Sequence, residues 1–126
     1  MFSIIQTQAA PAAIGPYSQG IVAGGLVFVS GQLGLDPQTG DLKGQDLNAQ
    51  ARQALANLEA ILMAADCGLS QVAAVDVYLT DMNDFSAFNA IYEEFFGSHK
   101  PARAVVAVKA LPKNAIIEVK CMAWRQ

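Results

Sequence analysis

Apolar positions along this chain recur with two different periods, and the switches between them mark out strands and helices. Ser3 to Gln6 predicts a short strand, and Gly15-Pro16 then breaks the pattern. Tyr17 to Ala23 and Leu26-Val27-Phe28-Val29-Ser30 read as the two arms of a hairpin, because Gly24-Gly25 between them is a tight-turn signal. Asp36-Pro37-Gln38-Thr39-Gly40 combines a proline-set turn with a glycine exit, the chemistry of an exposed connection.

From Asp46 the period lengthens. Leu47, Ala51, Leu55, Leu58 and Leu62 recur at helical spacing, with Asp46 as N-cap and Gly68 just past the end. Val72 to Thr80 alternates instead, with Val75, Val77 and Leu79 on one side and Asp76 and Tyr78 on the other, as a strand requires. Phe85, Phe88, Ile91, Tyr92 and Phe95 restore the helical period, opened by Asn83 or Asp84 and closed near Gly97; this aromatic stripe reads as core. Two strands complete the chain, Ala102 to Lys109 and Ala115 to Trp124, joined by Leu111-Pro112-Lys113-Asn114. The order βββαβαββ predicts an α+β domain with one six-stranded mixed sheet and both helices on one face. The other face is left without cover, which points to packing against further copies of the chain.

Composition strengthens that expectation. With 126 residues the chain suits one domain, 1–126, burying roughly two thirds of its unfolded surface. Hydrophobic residues make up 53% and charged ones 15%, more apolar than a usual globular domain. A net charge of −3 with scattered Lys and Arg argues against a nucleic-acid groove. Cys67 and Cys121 form no CxxC pair or metal-spaced cluster and read as packed thiols. The first residues have neither a basic nor an apolar region of a leader, and no stretch approaches the roughly 20 apolar residues of a membrane span. A cytoplasmic location without membrane attachment is the default expectation.

Two charges stand out against the strand pattern. Arg103 opens the run Arg103-Ala104-Val105-Val106-Ala107-Val108, and Glu118 interrupts Ile116-Ile117-Glu118-Val119. A charge withdrawn from water needs an ion partner, hydrogen bonds or a ligand. These residues therefore either belong to a site or pair with each other to fasten two strands. Tyr17, Ser30 and Asn89 can supply hydrogen bonds to a site or to the fold itself. His99, in Gly97-Ser98-His99-Lys100-Pro101, reads as a solvated loop residue, and no phosphate loop, GxSxG elbow or HExxH helix is present.

Taken together, Ala10-Pro11-Ala12-Ala13-Ile14-Gly15-Pro16-Tyr17-Ser18-Gln19-Gly20, Ser30-Gly31-Gln32, Asp81-Met82-Asn83-Asp84-Phe85, Pro101-Ala102-Arg103 and Leu111-Pro112-Lys113 with Glu118 resemble the Rid (YjgF-like) enamine/imine deaminases. The resemblance runs almost end to end. It implies a chorismate-mutase-like fold assembled as a homotrimer with clefts between subunits. It also implies hydrolysis of 2-imino acids and their enamine tautomers, such as 2-aminoacrylate and 2-iminobutyrate, to 2-keto acids and ammonia, sparing pyridoxal-phosphate enzymes from damage. Within that reading Arg103 grips the substrate carboxylate with help from the Gly31 N–H, and Glu118 orients the attacking water. Tyr17 closes the cleft from a neighbouring subunit, Ser30 and Asn89 line or support it, and no metal or organic cofactor is required. Many relatives carry a cysteine two residues after the arginine; here Val105 stands there, which excludes a thiol role and leaves only its backbone carbonyl to hold water. The competing expectations are a regulatory trimer that senses keto or imino acids and, less favoured by the acidic balance, a ribonuclease or translation inhibitor.

Overall fold

A computed structural model describes residues 2–125; the expected span of 1–126 also takes in Met1 and Gln126, which lie outside the described residues. Among the described residues one six-stranded sheet is formed by β1 (Phe2–Ile5), β2 (Gly20–Ala23), β3 (Leu26–Leu33), β4 (Val72–Leu79), β5 (Ala102–Ala107) and β6 (Ile117–Trp124). The spatial order is β1-β2-β3-β6-β4-β5. Only β4 and β5 pair in parallel, so the sheet is mixed as expected. Helix α1 (Leu47–Ala64) links β3 to β4, and α2 (Phe85–Phe96) links β4 to β5.

The helix ends follow local chemistry. Asp46 caps α1 by accepting a 2.8 Å bond from the Ala49 N–H. The helix stops before Gly68 because Asp66 takes the left-handed conformation, φ 56°. Its N–H then donates to the Met63 carbonyl, and the Cys67 N–H to the Leu62 carbonyl, which satisfies the last turn. Ahead of α2, Asp81 caps a short 3-10 turn through the Asn83 N–H; Asp84 stands at the helix start without a side-chain cap bond. Gly97 closes α2 at φ 61°.

The strand limits shift from the sequence reading by one or two residues in β1, β4, β5 and β6, and by three at the start of β2 and the end of β3. Residues Tyr17 to Gln19 lie outside β2, because the buried Gln19 amide is committed to backbone groups of another loop. It accepts from Thr7 N–H at 2.8 Å and donates to the carbonyls of Thr7 and Pro11 at 3.0 and 2.8 Å. Strand β3 runs past Ser30 to Leu33, since its pairing with β6 resumes beyond a bulge between Val29 and Gln32.

Both helices pack on one sheet face. Ala51, Ala54, Leu55, Leu58, Ile61 and Leu62 of α1 meet Val27, Val29, Val75, Val77, Ile117 and Val119, and Phe88, Ile91 and Phe96 extend the same core. Each fully buried large side chain contributes about 1.5–3 kcal/mol. The opposite face is apolar and uncovered. Ile4, Ile21, Phe28 and Met122 lie in register across β1, β2, β3 and β6, with Phe28 and Met122 still 37% and 38% exposed.

Candidate active site

Strand alternation decides where the two singled-out charges go. Ile117 and Val119 enter the core, so Glu118 between them projects from the uncovered face, level with Tyr78 on β4 and Leu33 on β3. Arg103 is registered with the core residue Val75 and lies on the helix side, its guanidinium carbon 4.7 Å from the Tyr92 ring centroid and 5.8 Å from that of Phe85. The two charges therefore occupy opposite faces of one sheet and form no pair. The ion pairs among the described residues are Lys43–Asp36, Arg52–Glu94 and Lys120–Asp76. The expectation that Arg103 is withdrawn from water is also corrected: β5 is an edge strand and Arg103 is exposed in the single chain.

Around Glu118 the β3 bulge creates a tight seat. A methyl group at Gly31 would collide with the Glu118 carboxylate, so glycine there allows the carboxylate to lie against the backbone. Burial raises the Glu118 pKa from its ordinary carboxylate value, and nearby Lys120 opposes that shift. Ser30 donates its hydroxyl to the Ser18 carbonyl at 2.5 Å, and its N–H donates to the Gln19 carbonyl at 2.9 Å. Ser30 thus ties down the loop that carries Tyr17, which is 54% exposed.

Around Arg103 a cleft forms on the other face. Arg103, Asn89, Tyr92, His99 and Lys100 line a cleft of about 400 Å³. The Asn89 Oδ1 and Tyr92 hydroxyl are buried and lack a hydrogen-bond partner among the described residues. Val105 follows Arg103 on the same face and packs against the core. His99 is held rather than free: its Nε2 donates to the Val72 carbonyl at 2.7 Å, and its ring lies 6.4 Å from that of Phe96. Cys121 is pushed up to about 12 by burial, and burial also raises Cys67, so both thiols are inert packing groups.

Of the seven sequence-derived candidates, Ser30, Gly31 and Glu118 gather at the β3 bulge with Tyr17 on the loop that Ser30 anchors, and Asn89, Arg103 and Val105 lie on the helix side. Sequence reasoning assigned Phe85 and Tyr92 to the core alone. Their spacing of seven residues, two helical turns, was the available signal that both reach the same neighbour.

A family model described as endoribonuclease L-PSP matches residues 7–125. The chain is 48% identical to a RutC family protein of Pyrococcus horikoshii over 126 residues, covering 100% of each. A Capra hircus protein named 2-iminobutanoate/2-iminopropanoate deaminase is 47% identical over 120 residues, 95% of this chain and 88% of that one. The chain belongs to the Rid, or YjgF-like, family. The structure of Escherichia coli TdcF with bound serine superimposes with a TM-score of 0.94 at 42% identity, covering 98% of this chain and 99% of that one. The sheet and its two helices are therefore the Rid fold. No helix of the described residues is long and apolar enough to cross a membrane.

Proposed function

We propose that this Rid protein is a cytoplasmic homotrimer that hydrolyses 2-imino acids and their enamine tautomers to 2-keto acids and ammonia, protecting pyridoxal-phosphate enzymes. The observation that carries the reading is the placement of Arg103 and Glu118 on opposite faces of the sheet, Arg103 on the helix side and Glu118 on the face left uncovered. A complete site then requires the Arg103 half of one protomer to meet the Glu118 half of its neighbour, as a closed ring of three copies allows.

In that cleft Arg103 binds the carboxylate through its planar fork, each charge-assisted bond contributing about 1.5–3 kcal/mol. The Gly31 N–H adds a donor and Asn89 offers its unpaired carbonyl oxygen to a substrate N–H. Glu118 accepts a proton as water adds to C2 of the imine. Glu118 passes that proton to the imine nitrogen, giving a carbinolamine; the C2–N bond then breaks as the carbinolamine hydroxyl becomes the keto oxygen and its proton moves through Glu118 to the leaving nitrogen, releasing ammonia and the keto acid. Tyr17, on the loop anchored by Ser30, closes the cleft. An imine is intrinsically labile to water, so positioning supplies most of the acceleration. Val105 contributes packing and its backbone carbonyl, with no thiol chemistry.

The deaminase names of relatives at 44–47% identity support this activity. The serine held by TdcF supports a second reading, a trimer that binds amino-acid-like ligands without turnover. The endoribonuclease description of the family model finds no support in a chain of net charge −3. The deciding experiment is the rate of 2-ketobutyrate formation from 2-iminobutyrate generated in situ by threonine dehydratase, with and without this protein. Acceleration that vanishes in Arg103→Ala supports the deaminase; binding of 2-ketobutyrate without acceleration supports the sensor.

A further inference from the structure

Arg103 is held in an unusual way for a residue that must aim a flat, five-donor group. The arginine side-chain hydrogen bonds among the described residues belong to Arg52 and Arg125, and Arg103 has neither such a bond nor an ion pair there. What touches it is aromatic: Tyr92 at 4.7 Å and Phe85 at 5.8 Å from ring centroid to guanidinium carbon. Phe85 and Tyr92 sit two turns apart on α2, with Asn89 between them, so the arginine crosses a stripe of one helix face. Tyr92 is itself fixed from behind, its ring 5.5 Å from Phe88 and 4.6 Å from Phe96, and only 9% of the residue is exposed.

We propose that Phe85 and Tyr92 are positioning residues that hold the Arg103 guanidinium by its face, so that every edge N–H stays free for the carboxylate of the substrate. The inference rests on the carboxylate-binding role given to Arg103 above. A hydrogen-bonded support would consume the donors that a bidentate carboxylate contact uses, whereas an aromatic face attracts the cation and leaves the fork open. The rigid neighbours of Tyr92 add preorganisation, because a ring packed on two others cannot rotate away when the ligand leaves. The Tyr92 hydroxyl has no part in this: it is buried without a partner among the described residues, and the ring alone does the holding.

The test compares wild type with Tyr92→Phe, Tyr92→Leu and Phe85→Leu, measuring KM and kcat for 2-iminobutyrate, the dissociation constant of 2-ketobutyrate by calorimetry, and the melting temperature of each. Carboxylate binding is felt equally in ground and transition states, so its loss appears in KM. Tyr92→Leu and Phe85→Leu are expected to raise KM and the 2-ketobutyrate constant about 5- to 10-fold with kcat within about twofold of wild type. Tyr92→Phe, which keeps the face, restores wild-type binding to within about twofold. Folded leucine variants with unchanged KM overturn the proposal, as does a Tyr92→Phe defect equal to that of Tyr92→Leu. If Tyr92→Leu does not fold, Phe85→Leu decides on the same criterion. Failure of the functional reading looks different, because wild type itself would then neither bind 2-ketobutyrate nor accelerate the hydrolysis.

Discussion

Arg103 and Glu118 project from opposite faces of one sheet, separated by the pairing of β5 with β4 and of β4 with β6. A cation and a carboxylate so placed cannot meet within a chain, and neither is spent on the other. Under the proposed function, each is half of a site that a second copy completes.

Glu118 is expected to be needed for turnover and dispensable for carboxylate binding. Glu118→Gln should lose most of the imine hydrolysis, on the order of 10²-fold or more, while binding 2-ketobutyrate with near wild-type affinity. Steady-state kinetics alongside calorimetry separates the two; a parallel loss of binding and turnover counts against the water-activating role.

The pH dependence has a definite sign. Glu118 must be ionised to take a proton, and burial raises its pKa, so activity should rise with pH through a midpoint shifted upward from the ordinary glutamate value. Lys120 lowers that pKa, so Lys120→Ala should move the acid limb to higher pH. In stability the raised pKa means that the folded state favours the protonated form. That contribution is present below the unfolded pKa and lost as pH rises through the folded one. Glu118→Gln should therefore melt no lower than wild type at pH 7, and a clear loss of melting temperature there would contradict the burial account.

Gly31 is expected to be intolerant of even one methyl group. Gly31→Ala forces the Glu118 carboxylate out of its seat against the bulge, and a displacement of that kind costs on the order of 10²-fold in kcat. Circular dichroism checks that the fold survives, and wild-type kcat in a folded variant would refute the seat.

The uncovered sheet face gives an assembly prediction. Phe28→Lys changes a residue already 37% exposed, so the isolated chain should keep its fold while the proposed trimer should dissociate. Sedimentation velocity should find monomer and the deaminase assay should find no activity; an active monomer would place the whole site within one chain. By contrast, Leu55→Ala removes a fully buried α1 residue and should cost about 2–5 kcal/mol in chemical denaturation.

Much of this arrangement was legible in the sequence, for reasons that can be traced to particular residues. Val75, Val77 and Leu79 alternate because one face of β4 is core, and the same alternation put Glu118 out of step with Ile117 and Val119. The helical stripe of α1 was equally plain, since Ala51, Leu55, Leu58 and Leu62 are all fully buried. Other features depended on contacts distant in sequence. Ala104 and Val106 look like core residues in the text of the chain, yet β5 is an edge strand and both are exposed. The bonds from Gln19 to Thr7 and Pro11, which keep Tyr17 out of a strand, have no local signature. His99 looked free because its acceptor, Val72, is 27 residues away. The opposite orientation of Arg103 and Glu118 required the register of three strands, which no run of neighbouring residues contains.

The central claim, that one protomer supplies Arg103 and another Glu118, is tested most directly by mixing. Arg103→Ala and Glu118→Gln proteins, each inactive alone, are unfolded together at equal amounts, refolded, confirmed as mixed trimers by native mass spectrometry, and assayed for 2-iminobutyrate hydrolysis. In a cyclic trimer with shared sites, every mixed ring rebuilds one intact site, so random assembly should recover about a quarter of wild-type activity. Mixed trimers that stay inactive would contradict the shared site and return both residues to a single chain.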